Sequence, residues 1–273
     1  MQTYRSLLFV PGARPERFDK AASSGADAVI LDLEDSVPPS GKASARDAAL
    51  GWLSTGRPSC PAGLRINSPR TAEGCADLAA LAGCDAAPGF AMVPKAETPV
   101  DVEIVREVLP GVPVIAVIES PRGLSHAWEI ATKSSAGVLF GGADFSACLG
   151  ADLADWDAML VARGTIAAAC GGASVPAYDV PYLDVADTEG LAQATARAKA
   201  LGFSGRTCIH PAQVETVNTV FTPTNAEVDE ARAIVDALET AGGGAVLHRG
   251  KLVDQPIILA ARRTLDRAGL KKG

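Results

Sequence analysis

The sequence lacks the features that would assign it to a membrane, a nucleic acid or an oxidising compartment. No apolar run approaches the roughly 20 residues that a membrane helix needs. Near its start, Arg5 precedes only the short stretch SLLFV before Pro11-Gly12, too little for a signal peptide or a span. The six cysteines, Cys60, Cys75, Cys84, Cys148, Cys170 and Cys208, include no C-x-x-C pair and no metal-ligand spacing, which predicts reduced thiols. Lys and Arg form no block and the formal net charge is −7, so a nucleic-acid surface has no electrostatic footprint here. The expectation is a cytoplasmic protein that handles small molecules.

What the sequence does contain is a repeated beat. Its 273 residues are 48% apolar, enough for one barrel-sized domain or two smaller ones. Short Val/Ile/Leu/Phe-rich stretches recur as SLLFVPG, AVILDLED, AGLRINS, FAMVPKAE, PVIAVIES, GVLFGGADF, VPAYDVPY and RTCIHP. Between them lie helix-like segments rich in Ala, Glu, Asp, Arg and Lys, such as SARDAALGWLSTG, GLSHAWEIATKS and DTEGLAQATARAKALG, most closing at Gly or Ser as helices often do. Eight such βα units predict an α/β fold of the (β/α)8 TIM-barrel type, spanning residues 1–220, with a C-terminal helical extension over 221–273. A doubly wound open sheet is the rival, but no G-x-G-x-x-G follows the first strand-like stretch.

In a barrel, strand ends distant in sequence converge on one mouth. Here those ends are polar: Asp32, Glu34 and Asp35 after the second strand, Arg65 and Asn67 after the third, Lys95 and Glu97 after the fourth, Glu119 after the fifth, Asp144 after the sixth and His210 after the eighth. Three carboxylates within four residues repel one another unless a cation or a donor network offsets them. Caps and solvated turns explain any one of these residues. Together they suggest a divalent cation beside an anionic ligand, with an Arg forked onto a carboxylate. Lys95 reads as an electrostatic partner of the acids rather than a Schiff-base former, and His210 as a loop hydrogen-bonder rather than a catalyst.

The stretches RSLLFVPGARPERFDKA, AVILDLEDSVPPSGKASAR, LRINSP, VPKAE, VIESPRGL, GGADFSACLG, IHPAQVETVNTVFTPT and GKLVDQPIILAARR resemble, in collinear order, the citrate lyase beta subunit (CitE-like) family. That family lies within the HpcH/HpaI aldolase and citrate lyase superfamily and is related to malyl-CoA and citramalyl-CoA lyases. The resemblance implies a Mg²⁺-dependent carbon–carbon lyase on a TIM barrel that assembles as homotrimers or hexamers. Its substrate would be a 3-hydroxy-acyl thioester of coenzyme A or an acyl carrier protein, of citryl, malyl or citramalyl type, cleaved to a 2-oxo acid and an acyl thioester. Other lyase subunits are possible partners.

Carried over residue by residue, the resemblance makes Glu119 and Asp144 the metal ligands, with Glu34 and Asp35 binding metal-held waters. It gives Arg65 the 2-oxo acid carboxylate, sets Phe9, Arg14 and Lys20 near coenzyme A, and makes Asp254, from a neighbouring subunit, the acid or base at the acyl carbon. The chain departs from the pattern at Ala143-Asp144, where many members have Glu-Asp. Two alternatives stay open: a class II metal-dependent aldolase acting on free 2-oxo acids, and a non-catalytic thioester-binding subunit.

Overall fold

The computed structural model describes residues 3–55, 58–84, 88–240, 246–248 and 251–269. The eight apolar stretches form eight parallel strands: β1 (Ser6–Pro11), β2 (Ala28–Asp32), β3 (Ala62–Arg65), β4 (Ala91–Val93), β5 (Val114–Ile118), β6 (Gly137–Phe140), β7 (Ala177–Asp179) and β8 (Gly205–Cys208). Each pairs with the next, and β1 pairs with both β2 and β8, so the sheet closes on itself. This is the (β/α)8 barrel that the repeated pattern predicts.

The helices of this unit follow in chain order as α1 (Phe18–Ala22), α2 (Lys42–Thr55), α3 (Ala72–Ala82), α4 (Pro99–Val108), α5 (Pro121–Ser125), α6 (Ala127–Lys133), α7 (Gly142–Leu149), α8 (Trp156–Ala173), α9 (Thr188–Leu201) and α10 (Val214–Phe221). Several start where a polar side chain takes up an orphan backbone donor. Thr71 accepts from Gly74 N at 3.1 Å before α3, and Asp187 accepts from Gly190 N at 2.8 Å before α9.

Strand parity divides the core in two. Leu7, Ala28, Ile30, Met92, Ile115, Val117, Leu139 and Tyr178 fill the barrel interior, while Leu8, Val29, Leu31, Leu64, Ala116 and Val138 pack with the helices. Strands buried on both faces read as unbroken apolar runs, which is why β2 is AVIL before its terminal Asp32. At Gly63 a side chain would collide with the Phe90 ring, which takes up that share of the interior.

Two elements differ from expectation. GVLFGGADF is not a strand throughout: β6 stops at Phe140, and Asp144 stands in the first turn of α7. The stretch GLSHAWEIATKS, expected as one helix, is broken at His126 between α5 and α6.

Residues 222–273 form a second compact unit. It holds α11 (Asn225–Thr240), the antiparallel strands β9 (Val246–His248) and β10 (Lys251–Val253), and α12 (Gln255–Arg267). Val228, Ala231 and Val235 of α11 bury themselves with Ala261 and Leu265 of α12. The extension is therefore mixed rather than wholly helical.

Candidate active site at the barrel mouth

Asp32 and Arg65 end adjacent strands in direct register. Two residues before Asp32, Ile30 belongs to the interior cluster, so the two-residue period turns Asp32 inward as well. Its carboxylate accepts from Arg65 Nε at 2.7 Å and Nη2 at 2.8 Å, and from the backbone N–H groups of Glu34 at 2.9 Å and Ser36 at 3.1 Å. Burial alone would raise the Asp32 pKa, but the Arg65 hydrogen bonds and charge, with Ser36 and Glu34, bring it below the ordinary carboxylate range. Burial disfavours the Arg65 cation, yet Asp32, Glu34 and Asp35 outweigh it and hold the guanidinium protonated. The Phe9 ring lies 4.8 Å from Arg65 Cζ, a cation–π contact within a buried cluster.

The neighbouring strand end adds a second layer. Lys95 takes a left-handed backbone conformation, φ 53°, that aims its N–H at Glu119 Oε1, 2.6 Å away. Its ammonium donates to Glu34 and lies 3.5 Å from Asp35 Oδ1. Burial would lower the Lys95 pKa, but the Glu34 hydrogen bond and the charges of Glu34, Asp35 and Glu119 raise it. A Lys held so firmly as a cation is no Schiff-base nucleophile at neutral pH, in keeping with its expected electrostatic part.

Cation and acids do not balance around Glu119. Burial first, then the charges of Glu34 and Asp144, push its carboxyl up to about 8 against the opposing pull of Lys95. Glu34 Oε2 is buried without a hydrogen bond, although Arg65 Nη1 stands 3.2 Å away. At Gly141 an added Cβ would sit 2.7 Å from Glu119 Oε2, so the absence of a side chain is what lets this carboxylate lie against the turn that leads to Asp144. Among the described residues no three Asp, Glu, His or Cys side chains converge as a metal cage. A pair of carboxylates with an orphaned acceptor beside them fits a hard dication that keeps several waters, as Mg²⁺ does.

Other candidates of the barrel unit fall outside this cluster. Arg14 and Lys20 lie exposed on the β1–α1 limb, Arg14 3.7 Å from Glu16 Oε1. Asp254, in the second unit, precedes α12 without capping it by its side chain. His210 Nδ1 accepts from Ala212 N at 3.2 Å, the loop bond expected of it. Glu97 is tied to Arg70 at 3.1 Å and Arg122 at 3.3 Å, joining the loops after β3 and β4 to the start of α5. At the opposite end of the barrel, Tyr4, Arg106, Pro113 and Ser135 line a cavity of about 730 Å³. Its Lys133 is taken up by Glu103 at 2.7 Å, and among the described residues no catalytic constellation faces it.

Sequence reasoning named most of the cluster but missed the grip of Asp32 on Arg65 and the backbone contribution of Lys95. The first was signalled by strand parity, which puts Asp32 on the interior face. The second had no signal, because a left-handed lysine is not written in residue type.

Fold and site together define a TIM-barrel enzyme of the carbon–carbon lyase class. The family model described as HpcH/HpaI aldolase/citrate lyase matches residues 5–211, and one described as a carbon–carbon bond lyase of the TIM-barrel fold matches residues 167–270. The chain belongs to the HpcH/HpaI aldolase/citrate lyase family. A citrate lyase subunit beta-like protein of Mycobacterium tuberculosis is 38% identical over 269 residues, 96% of this chain and 94% of that protein. A (3S)-malyl-CoA thioesterase of Cereibacter sphaeroides is 34% identical over 271 residues, 97% of this chain and 94% of that protein. The crystal structure of protein CitE from M. tuberculosis in complex with magnesium, acetoacetate and coenzyme A superposes with a TM-score of 0.82 at 35% identity, covering 98% of both chains.

Proposed function

We propose that this chain is a Mg²⁺-dependent lyase that cleaves a 3-hydroxy-acyl thioester of coenzyme A, of malyl, citramalyl or citryl type, into a 2-oxo acid and an acyl thioester. The observation that carries this reading is the half-buried Arg65 guanidinium, gripped on one edge by Asp32 and standing beside carboxylates whose charge is incompletely offset. The M. tuberculosis complex with magnesium, acetoacetate and coenzyme A supports the ligand classes.

Glu119 and Asp144 would hold the Mg²⁺, with Glu34 and Asp35 accepting from its waters. Bound there, the ion lowers the cost of negative charge on reacting oxygens. Arg65 has Nη1 and one Nη2 hydrogen outside the Asp32 pair; Glu34 Oε2 stands 3.2 Å and Asp35 Oδ2 3.8 Å from Nη1, and with those acids drawn to the metal's waters this edge would take the carboxylate of the 2-oxo acid. Lys95 holds Glu34 with its ammonium and Glu119 with its N–H. As the carbon–carbon bond breaks, the substrate hydroxyl loses its proton to become the 2-oxo group, and the acyl carbon gains one. Asp254 would serve that carbon from a neighbouring subunit, so that a homotrimer or hexamer is the working form. Arg14, Lys20 and Phe9 would meet the coenzyme A portion. The proposed setting is the cytoplasm; among the described residues no helix is long and apolar enough to cross a membrane.

The test is a panel of 3-hydroxy-acyl-CoA thioesters incubated with Mg²⁺ or with EDTA, detecting 2-oxo acid, acyl-CoA and free thiol. Metal-dependent release of 2-oxo acid and acyl-CoA is expected. The thioesterase name of the 34% relative makes hydrolysis the second reading; free thiol without 2-oxo acid would establish it. Cleavage of free 2-oxo acid adducts without any thioester would overturn both.

A further inference from the structure

Asp32 is 2% exposed, and its oxygens take four hydrogen bonds: Oδ1 from Arg65 Nε and Glu34 N, Oδ2 from Arg65 Nη2 and Ser36 N. A carboxylate offers about four acceptor positions, so this one is saturated within the protein and has none left for a metal or a substrate. The bonds lead to two places. One pair fixes the plane of the Arg65 guanidinium, and the other closes the turn that presents Glu34 and Asp35. Glu34 in turn receives the Lys95 ammonium, and the Lys95 N–H reaches Glu119. One chain of hydrogen bonds thus runs from the anion-binding edge to the carboxylate beside Asp144.

We infer that Asp32 is a positioning residue for the 2-oxo acid: by occupying the Nε/Nη2 edge of Arg65 it fixes the plane of the remaining Nη1/Nη2 edge, which Glu34 Oε2 approaches to 3.2 Å and Asp35 Oδ2 to 3.8 Å at Nη1, and so sets the affinity and orientation of a planar carboxylate that takes that edge when those acids turn to the metal's waters. This rests on the functional reading above for the identity of the ligand. Free rotation of an unheld guanidinium would cost the fork its preorganisation, because the planar pair must be aligned before it can donate twice. Phe9 covers one face of the same guanidinium at 4.8 Å, restraining it further.

The test is calorimetric titration of glyoxylate and pyruvate into the full chain with Mg²⁺ present, for the wild type, Asp32→Asn, Arg65→Lys and the double variant. Acetyl-CoA titrations and circular-dichroism melts accompany each. Asp32→Asn is expected to weaken 2-oxo acid binding about tenfold, the scale of one charge-assisted hydrogen bond, with acetyl-CoA affinity unchanged. In the Arg65→Lys background the same substitution should add less than about twofold, because its route is already gone. Unchanged 2-oxo acid binding by folded Asp32→Asn, or fully additive losses in the double variant, would overturn the inference. Should Asp32→Asn not fold, Asp32→Glu keeps the charge but displaces the carboxylate and should show the same loss; wild-type affinity there, or failure of both to fold, assigns Asp32 a structural role alone. A wild type that binds 2-oxo acids but cleaves no thioester defeats the proposed function and leaves this inference standing. A wild type that binds neither acid defeats the inference, whatever the thioester panel shows.

Discussion

Arg65 and Asp144 illustrate how differently two mouth residues depend on their surroundings. Arg65 is held on one edge by the saturated carboxylate of Asp32, whereas Asp144 is half-buried in the first turn of α7 and acts on Glu119 through its charge. Asp144→Ala should therefore abolish Mg²⁺ binding and turnover while leaving the metal-free melting temperature near that of the wild type. Calorimetric titration with MgCl₂ and a thermal melt check both halves, and a fully active variant would remove Asp144 from the metal site. Gly141→Ala tests the same place by steric means. Its Cβ would press on the Glu119 carboxylate, at an overpacking cost of about 1–3 kcal/mol. Mg²⁺ affinity should fall by about 10- to 100-fold, as it does when groups around a metal ligand are disturbed. At this scale the sequence was informative about residue type and blind to direction. Glu34, Glu119 and Asp144 were legible as acids at strand ends, but that Asp32 faces the interior and grips Arg65 required strand parity to be combined with register.

The elements are also joined by buried ion pairs that single-residue reading does not reveal. Asp179 at the end of β7 accepts from Arg163 of α8 at 3.0 Å and from Arg206 of β8 at 2.5 Å, all three fully buried. The Arg163 guanidinium also lies over Trp156 at 4.5 Å and Phe140 at 5.2 Å. Asp179→Asn would leave two buried guanidiniums without their counter-charge. The expected destabilisation is about 3–5 kcal/mol, measured by denaturant unfolding. At the start of α4, burial would raise the Asp101 pKa, but the Arg70 hydrogen bond and the N–H groups of Thr98 and Glu97 lower it overall. A depressed carboxylate contributes stability above its unfolded value of about 3.9 and loses it as pH falls through the folded one. The melting-temperature gap between wild type and Asp101→Asn should therefore be largest near neutral pH and shrink below about pH 4; a gap independent of pH would show that the charge is not what matters. All eight strands were legible from apolar runs. The helix α7 was not, because its Gly-Gly-Ala-Asp start follows β6 without a polar break.

For the whole molecule, the proposed contribution of Asp254 to a neighbouring subunit makes the oligomer the unit of activity. Asp144→Ala and Asp254→Asn protomers should each be inactive alone. Co-assembled at equal ratio they should recover about one quarter of wild-type turnover, because random pairing reunites both intact groups at that fraction of sites. No recovery in mixed oligomers, verified by mass, would place Asp254 within its own subunit or outside the chemistry. The sequence by itself determined the eight-fold alternation and therefore the barrel, since runs buried on both faces must be parallel strands covered by helices. It also determined which acids and bases could stand at the strand ends. Only the tertiary structure decided their partners. Register set Asp32 against Arg65, a left-handed turn aimed the Lys95 N–H at Glu119, and the missing side chain at Gly141 let that carboxylate lie where Asp144 acts on it. Pairing across a barrel depends on the closure of strands far apart in the chain, and no local pattern of residues encodes that.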